Sequence, residues 1–126
     1  MALAARIGDT VARARDLGGE PAAHADALQS AVDRLGEVTL GLAALGDPER
    51  TMANATVYLE AAGHTVIAWM WLEQLVAVGE RTGDFYDGKR AAARYFFRWE
   101  LPKVAPMLDL LASGDTTTLE MRDAWF

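Results

Sequence analysis

The sequence predicts an all-α fold, an antiparallel up-and-down four-helix bundle closed by a short C-terminal helical turn. Three observations carry that prediction. Stop signals at Gly18-Gly19, at Gly46 and at Gly79 to Gly83 separate four segments of helical apolar periodicity. The stretch Tyr58 to Val78 holds twelve consecutive residues, Ala61 to Leu72, with no carboxylate, Lys or Arg among them. A membrane span needs about 18 or more such residues, so this length suits a central helix that is apolar nearly all round and covered on more than one side. No strand-like alternation and no turn dipeptide flanked by apolar runs occurs, since Asp87-Gly88 sits inside a helical pattern. Short connections favour antiparallel neighbours.

Leu3, Ile7, Val11, Ala14 and Leu17 define the first helix, which Gly18-Gly19 stops because glycine takes the left-handed cap conformation at little cost. This helix is short, and its start at Met1 looks like a cut into a longer chain. The second begins near Pro21 and carries Leu28, Ala31, Leu35, Val38, Leu42 and Leu45, a seam suited to shallow antiparallel packing. Gly36 and Gly41 inside it each cost about 1 kcal/mol relative to alanine, which reads as close approach of a neighbouring helix. Gly46-Asp47-Pro48-Glu49 is the sharpest local signal: an ending glycine, a capping aspartate, a first-position proline and a carboxylate for the dipole. The third helix should therefore run from Pro48 to Glu80.

Asp84 is a good cap for a fourth helix ending at Gly114, with Ala92, Phe96 and Trp99 on one face and Tyr95 beside them. Arg90, Arg94 and Arg98 form a ridge on another face. Pro102 and Pro106 each remove a helical hydrogen bond, so a kink is expected there. Thr117 to Glu120 is spaced as a capping box for one further turn. The terminal pair Trp125-Phe126 should dock rather than stay in water.

At 126 residues, 52% hydrophobic and 24% charged, the chain reads as one globular domain, residues 1–126. Its net charge of −6 argues against a nucleic-acid backbone as partner. There is no cysteine, no signal-peptide pattern and no membrane span, and cytoplasm is the default. His24 and His64 each follow a glutamate by four residues (Glu20 and Glu60), unlike the Glu-x-x-His of di-iron bundles, so no metal site is expected. His64 reads as a hydrogen-bonded core or edge histidine. No nucleotide-binding glycine motif, P-loop or nucleophile elbow is present, and Asp84 and Asp87 serve a helix start. No catalytic or cofactor-binding residue is assigned. The ridge of Arg90, Arg94 and Arg98 is the one candidate for contact with a phosphorylated ligand, although such ridges are more often solvated or paired with acids.

Tyr58-Leu59 leading to Gly63, Ala68-Trp69-Met70-Trp71, Phe85-Tyr86 with Lys89, and Ala91 to Phe97 form an ordered set. Leu101-Pro102, the run Leu110 to Asp115, Leu119 and Asp123 to Phe126 continue it. Together they resemble the extra C-terminal helical domain of a bacterial branch of the acyl-CoA dehydrogenases, over a little more than half the chain. The first two helices match only in character. The resemblance implies a parent flavoprotein that oxidises acyl-CoA thioesters with FAD and a catalytic glutamate. No glutamate here matches that base, so FAD belongs to the parent and not to this chain. What is implied is a terminal module packed against catalytic domains. A stand-alone interaction protein or homodimer is the alternative, and a small-ligand carrier lined by Trp69, Trp71, Phe96 and Trp99 is a third. Under the first two readings one face is an interface, to the catalytic domains or to a second copy, with a homo-oligomer expected. Trp69, Trp71, Trp125 and Phe126 are its candidate anchors.

Overall fold

In the computed structural model, which describes residues 2–126, every regular element is helical and no strand occurs among the described residues. The expectation drawn from Met1 lies outside them. The helices are α1 (Ala2–Leu17), α2 (Gly19–Ala43), α3 (Pro48–Met52), α4 (Ala55–Val78), α5 (Asp84–Tyr95) and α6 (Val104–Ser113). A wide π-turn, Phe96–Glu100, and a 3₁₀ turn, Leu101–Lys103, join α5 to α6. The long arms α1, α2, α4 and α5–α6 are compatible with a four-helix bundle. Helix α4 is central, touching α1, α2, α5 and α6.

The stop signals act as their chemistry dictates. Gly18 and Gly19 take φ of 69° and 53°, which ends α1 and lets α2 start at Gly19, two residues before Pro21. At the next break Asp47 caps α3, its Oδ1 accepting the Glu49 N–H at 3.1 Å, with Pro48 in the first position. The expected seam of α2 does face the core: Leu28 and Val38 are buried, and Ala31, Leu35 and Leu42 pack against it. Gly36 and Gly41 do not mark close helix approach. Both lie on the exposed side of α2, and a Cβ added at either would meet nothing within 4 Å.

Two segments expected as one helix each, the fourth with a kink at Pro102 and Pro106, are divided. The third breaks at Ala53-Asn54 into α3 and α4. There the C-terminal segment grips the backbone: Thr118 donates its hydroxyl to the Ala53 carbonyl at 3.0 Å, and Asn54 donates its amide to the Asp115 carbonyl at 2.9 Å. The fourth breaks at Phe96–Lys103, around Pro102, which has no N–H to close the preceding helical turn. Pro106 causes no break, because it sits in the first turn of α6, where that N–H needs no helical partner.

The wide turn also resets which face points inward. Ala93, Phe97, Leu101, Val104, Leu108 and Leu111 form the buried stripe, so Trp99 and Tyr95 face solvent instead of joining Ala92 and Phe96. After Gly114 the expected capping box does not form. Asp115 caps instead, its Oδ2 accepting the Thr117 N–H at 3.1 Å, while Glu120 accepts the Thr116 hydroxyl at 3.1 Å. A 3₁₀ turn, Asp123–Trp125, follows, and Trp125 and Phe126 remain exposed, Phe126 at 94%, so this pair does not dock on its own chain.

Leu72 lies at the centre of this arrangement, fully buried on α4 among residues of the other long helices. Leu72→Ala should cost about 2–5 kcal/mol through lost burial and the cavity left behind. Urea unfolding followed by circular dichroism checks it, with the exposed Leu40→Ala expected to stay within about 0.5 kcal/mol of the parent.

Candidate interaction surface

Helix α4 buries Ala61, Thr65, Ala68, Leu72 and Leu75 on one side. Its opposite arc, at the spacing of one helical stripe, carries Leu59, Gly63, Ile67 and Met70, all exposed. Gly63, Ile67 and Met70 stay exposed, and Leu59, also exposed, lines a groove shared with α2 and α3. α5 and the wide turn also expose Phe85, Tyr95 and Trp99. Tyr95 and Trp99 stack on one another with ring centroids 6.1 Å apart and planes 18° from parallel.

The two helices are tied across this face. Lys89 donates to Gln74 Oε1 at 3.1 Å and places its ammonium 6.0 Å from the Trp71 ring and 5.6 Å from Phe85. The His64 ring lies 6.0 Å from Phe96, and its Nε2 is 3.6 Å from Glu100, which Lys103 also pairs at 2.7 Å. The Lys103 ammonium holds the Glu100 carboxyl below the usual range. His64 therefore reaches across to Glu100, while its Nδ1 lies 3.2 Å from the carbonyl of Glu60.

The four sequence candidates for anchors fall in different places. Trp69 turns towards α1, where its indole N–H donates to Thr10 at 2.8 Å and Arg6 lies over its ring at 5.6 Å. The buried Thr10 hydroxyl in turn lies 2.5 Å from Glu73 Oε1, so Trp69 serves the α1–α4 seam. Trp71 is half-buried under Lys89, at the base of the α4–α5 face. Trp125 and Phe126 are exposed, with Arg122 over the Trp125 ring at 5.7 Å. Trp69, Trp71, Phe96 and Trp99 thus do not converge on one pocket. An apolar groove of about 380 Å³ lies instead between α2, α3 and α4, lined by Leu42, Met52, Ala55 and Tyr58 among others. Sequence reasoning missed Leu59, Ile67, Met70 and Phe85. The signal that could have found the first three is α4 itself, whose outer stripe stays apolar although only one side can face the core.

The arginine ridge is divided. Arg90 pairs with Asp87 at 3.0 Å and donates to the carbonyls of Gly79 and Arg81, closing the loop between α4 and α5. Arg94 reaches α2, its Nε 3.0 and 3.1 Å from the two carboxylate oxygens of Glu20. Arg98 is exposed, with no ion pair among the described residues. Beneath Arg94, His24 is buried and stacked on Phe97, centroids 4.3 Å apart and planes 14° from parallel. Its Nε2 lies 3.5 Å from Glu20 Oε1 and makes no hydrogen bond. Among the described residues no group of three or more His, Asp or Glu side chains is suited to a metal ion, and no helix is long and apolar enough to cross a membrane.

An all-helical module with a large apolar outer face is the class of protein these features define. The family described as acetyl-CoA dehydrogenase C-terminal like matches residues 3–122, and the chain belongs to that family. The match takes in α1 and α2, which resembled it only in character. Neither a curated protein nor a solved structure matches the chain.

The His24 cluster gives this module a pH response. Burial disfavours the imidazolium and pushes the His24 pKa below its ordinary 6.5; nearby Glu20 opposes this, and Arg94 and Arg98 reinforce it. Burial also works against ionised Glu20, but Arg94 and His24 outweigh it and hold that carboxyl below 4.5. The unfolded chain then binds more protons than the native one just below pH 6.5. Stability from His24 is complete above 6.5 and is lost as pH falls through the depressed native value; the Glu20 contribution is lost further down, below 4.5. His24→Phe should remove the upper loss and keep the lower one. Thermal midpoints followed from above pH 6.5 to below pH 4.5 check it.

Proposed function

We propose that this chain is the C-terminal helical module of an acyl-CoA dehydrogenase-type flavoenzyme, with a structural and interface role and no catalysis of its own. Family membership over residues 3–122 is the observation that carries this reading. The module is a single domain over residues 1–126, an antiparallel four-helix bundle, and works in the cytoplasm. FAD and the catalytic base belong to the parent enzyme's other domains, whose flavoprotein chemistry serves fatty-acid metabolism. Its partners are those domains or a second copy, in a homo-oligomer. Any phosphate contact from the ridge falls to Arg98, since Arg90 and Arg94 are held by acids of their own chain. The second reading, a stand-alone homodimer, is favoured by the uncovered α4–α5 face alone.

The purified chain should be colourless and should not reduce an artificial electron acceptor when given acyl-CoA. Visible absorbance and an acceptor assay check both. Stoichiometric flavin in the purified chain would overturn the proposal.

A further inference from the structure

We propose that the groove between α2, α3 and α4 receives a partner helix that lies in line with α1 and turns an apolar face to α2 and α4. The proposal rests on the module reading above, in which the catalytic domains supply that helix, and it names where they dock.

The groove continues the seam that α1 fills. Arg6 lies over the Trp69 ring, Thr10 bonds to Trp69 and Glu73, and Arg13 lies 3.5 Å from Glu73. Helices α1 and α4 therefore run the same way, with Thr10 level with the turn from Trp69 to Glu73. Ala2 is then level with Gly63, and at about 1.5 Å per residue Leu59 and Ala55 lie roughly 6 and 12 Å beyond it. Steps of three or four residues back from Trp69, along the stripe that meets α1, lead to Ala62, Tyr58 and Ala55. Helix α2 returns from the Gly18-Gly19 turn with 25 residues against 16 in α1, so its C-terminal end overhangs by roughly 14 Å. Thr39, Leu42 and Ala43 lie in that overhang and line the groove, and Thr51 and Met52 of α3 close it. Two neighbours of α1 thus run on together past its Ala2 end.

The lining sets the chemistry of the occupant. It contains no charged side chain, and its hydroxyls already have partners within the chain. Thr39 donates to the Leu35 carbonyl at 2.7 Å and meets the Tyr58 hydroxyl at 2.8 Å, and Thr51 donates to the Leu42 carbonyl at 3.1 Å. A polar ligand therefore gains little there, whereas Met52 and Leu59, 64% and 70% exposed, offer apolar surface. An overhang of roughly 14 Å takes about two and a half helical turns. A helix on the axis of α1 meets the same two neighbours at the three-and-four spacing they already accept.

A designed helical extension of about three turns, fused ahead of Met1 in the full chain, tests the fit. One version continues the spacing of Leu3 and Ile7 with leucines; a control carries the same leucines on the opposite face. The matched extension should raise the thermal midpoint by about 5 °C or more over the control. The chain has no cysteine, so Leu59→Cys supplies a single thiol in the groove. The matched extension should slow its reaction with a maleimide by about tenfold or more relative to the control, as a groove occupied most of the time would. Met52→Glu, at an exposed position that leaves the fold intact by circular dichroism, should abolish both effects. Equal midpoints and equal labelling rates for the two extensions overturn the proposal, as does a gain that survives Met52→Glu. So does a groove that prefers a small apolar molecule, read as anilinonaphthalene sulfonate that the matched extension does not displace. None of these outcomes bears on the flavin and acceptor tests of the module reading.

Discussion

The rest of the structure depends on one constraint: α4 carries no charged side chain between Glu60 and Glu73, so it must be covered on several sides at once. Its small residues make that possible. Ala61 and Ala68 are fully buried and let neighbouring helices approach, and Thr65 returns its buried hydroxyl to the Ala61 carbonyl at 2.8 Å. No buried side-chain polar atom of α4 is left without a partner. Helix α1 closes one flank through Thr10, Trp69 and Glu73. Helix α5 closes the other through Lys89 and the His64–Phe96 contact. What remains exposed is the stripe of Gly63, Ile67 and Met70.

The wide turn before Pro102 decides which aromatic side chains stay outside. A continuous helix through Phe96–Lys103 would need an N–H that proline lacks. The extra residue in the π-turn keeps Phe97 and Leu101 both inward, so the buried stripe continues without interruption from α5 into α6. The same adjustment leaves Trp99 on the outside, stacked on Tyr95. A π-turn inside a helix often coincides with a functional surface. Here the local requirement of one proline and the aromatic content of the outer face meet in the same five residues.

Much of this was legible in the sequence because it rests on local chemistry. Gly18-Gly19, Gly46 and Asp47-Pro48 act within a few residues of themselves, and they end and start helices where their own conformational preferences put them. The heptad-like steps of α2 placed its inner face, and the family resemblance through Ala68 to Trp71 and Ala91 to Phe97 led to the family that matches. The division at Ala53-Asn54 was not legible, because its cause is a contact from Thr118 and Asp115, some sixty residues away. Which face of α5 points inward was not legible for a related reason: apolar spacing alone cannot choose between Phe96 and Phe97 when both are aromatic and lie in a π-turn. The tryptophans divide between the interior seams and the surface. Trp69 is occupied by a hydrogen bond to Thr10, while the aliphatic Leu59, Ile67 and Met70 stand free.

Rigidity distinguishes the α4–α5 face from the other exposed apolar groups. The C-terminal segment exposes Leu119, Met121, Trp125 and Phe126 beyond its last anchors at Ala53 and Asn54, between α3 and α4. Ordering such a segment on a partner sets chain entropy against any burial gained. On α4 and α5 the backbone is already fixed by helix packing, and Trp99 is already held against Tyr95. Docking there immobilises side chains alone, at about 0.5–1.5 kcal/mol for each flexible one, a cost that falls chiefly on Met70. Of two apolar surfaces in one chain, the face built on packed helices therefore converts its buried area into affinity more completely than the tail does.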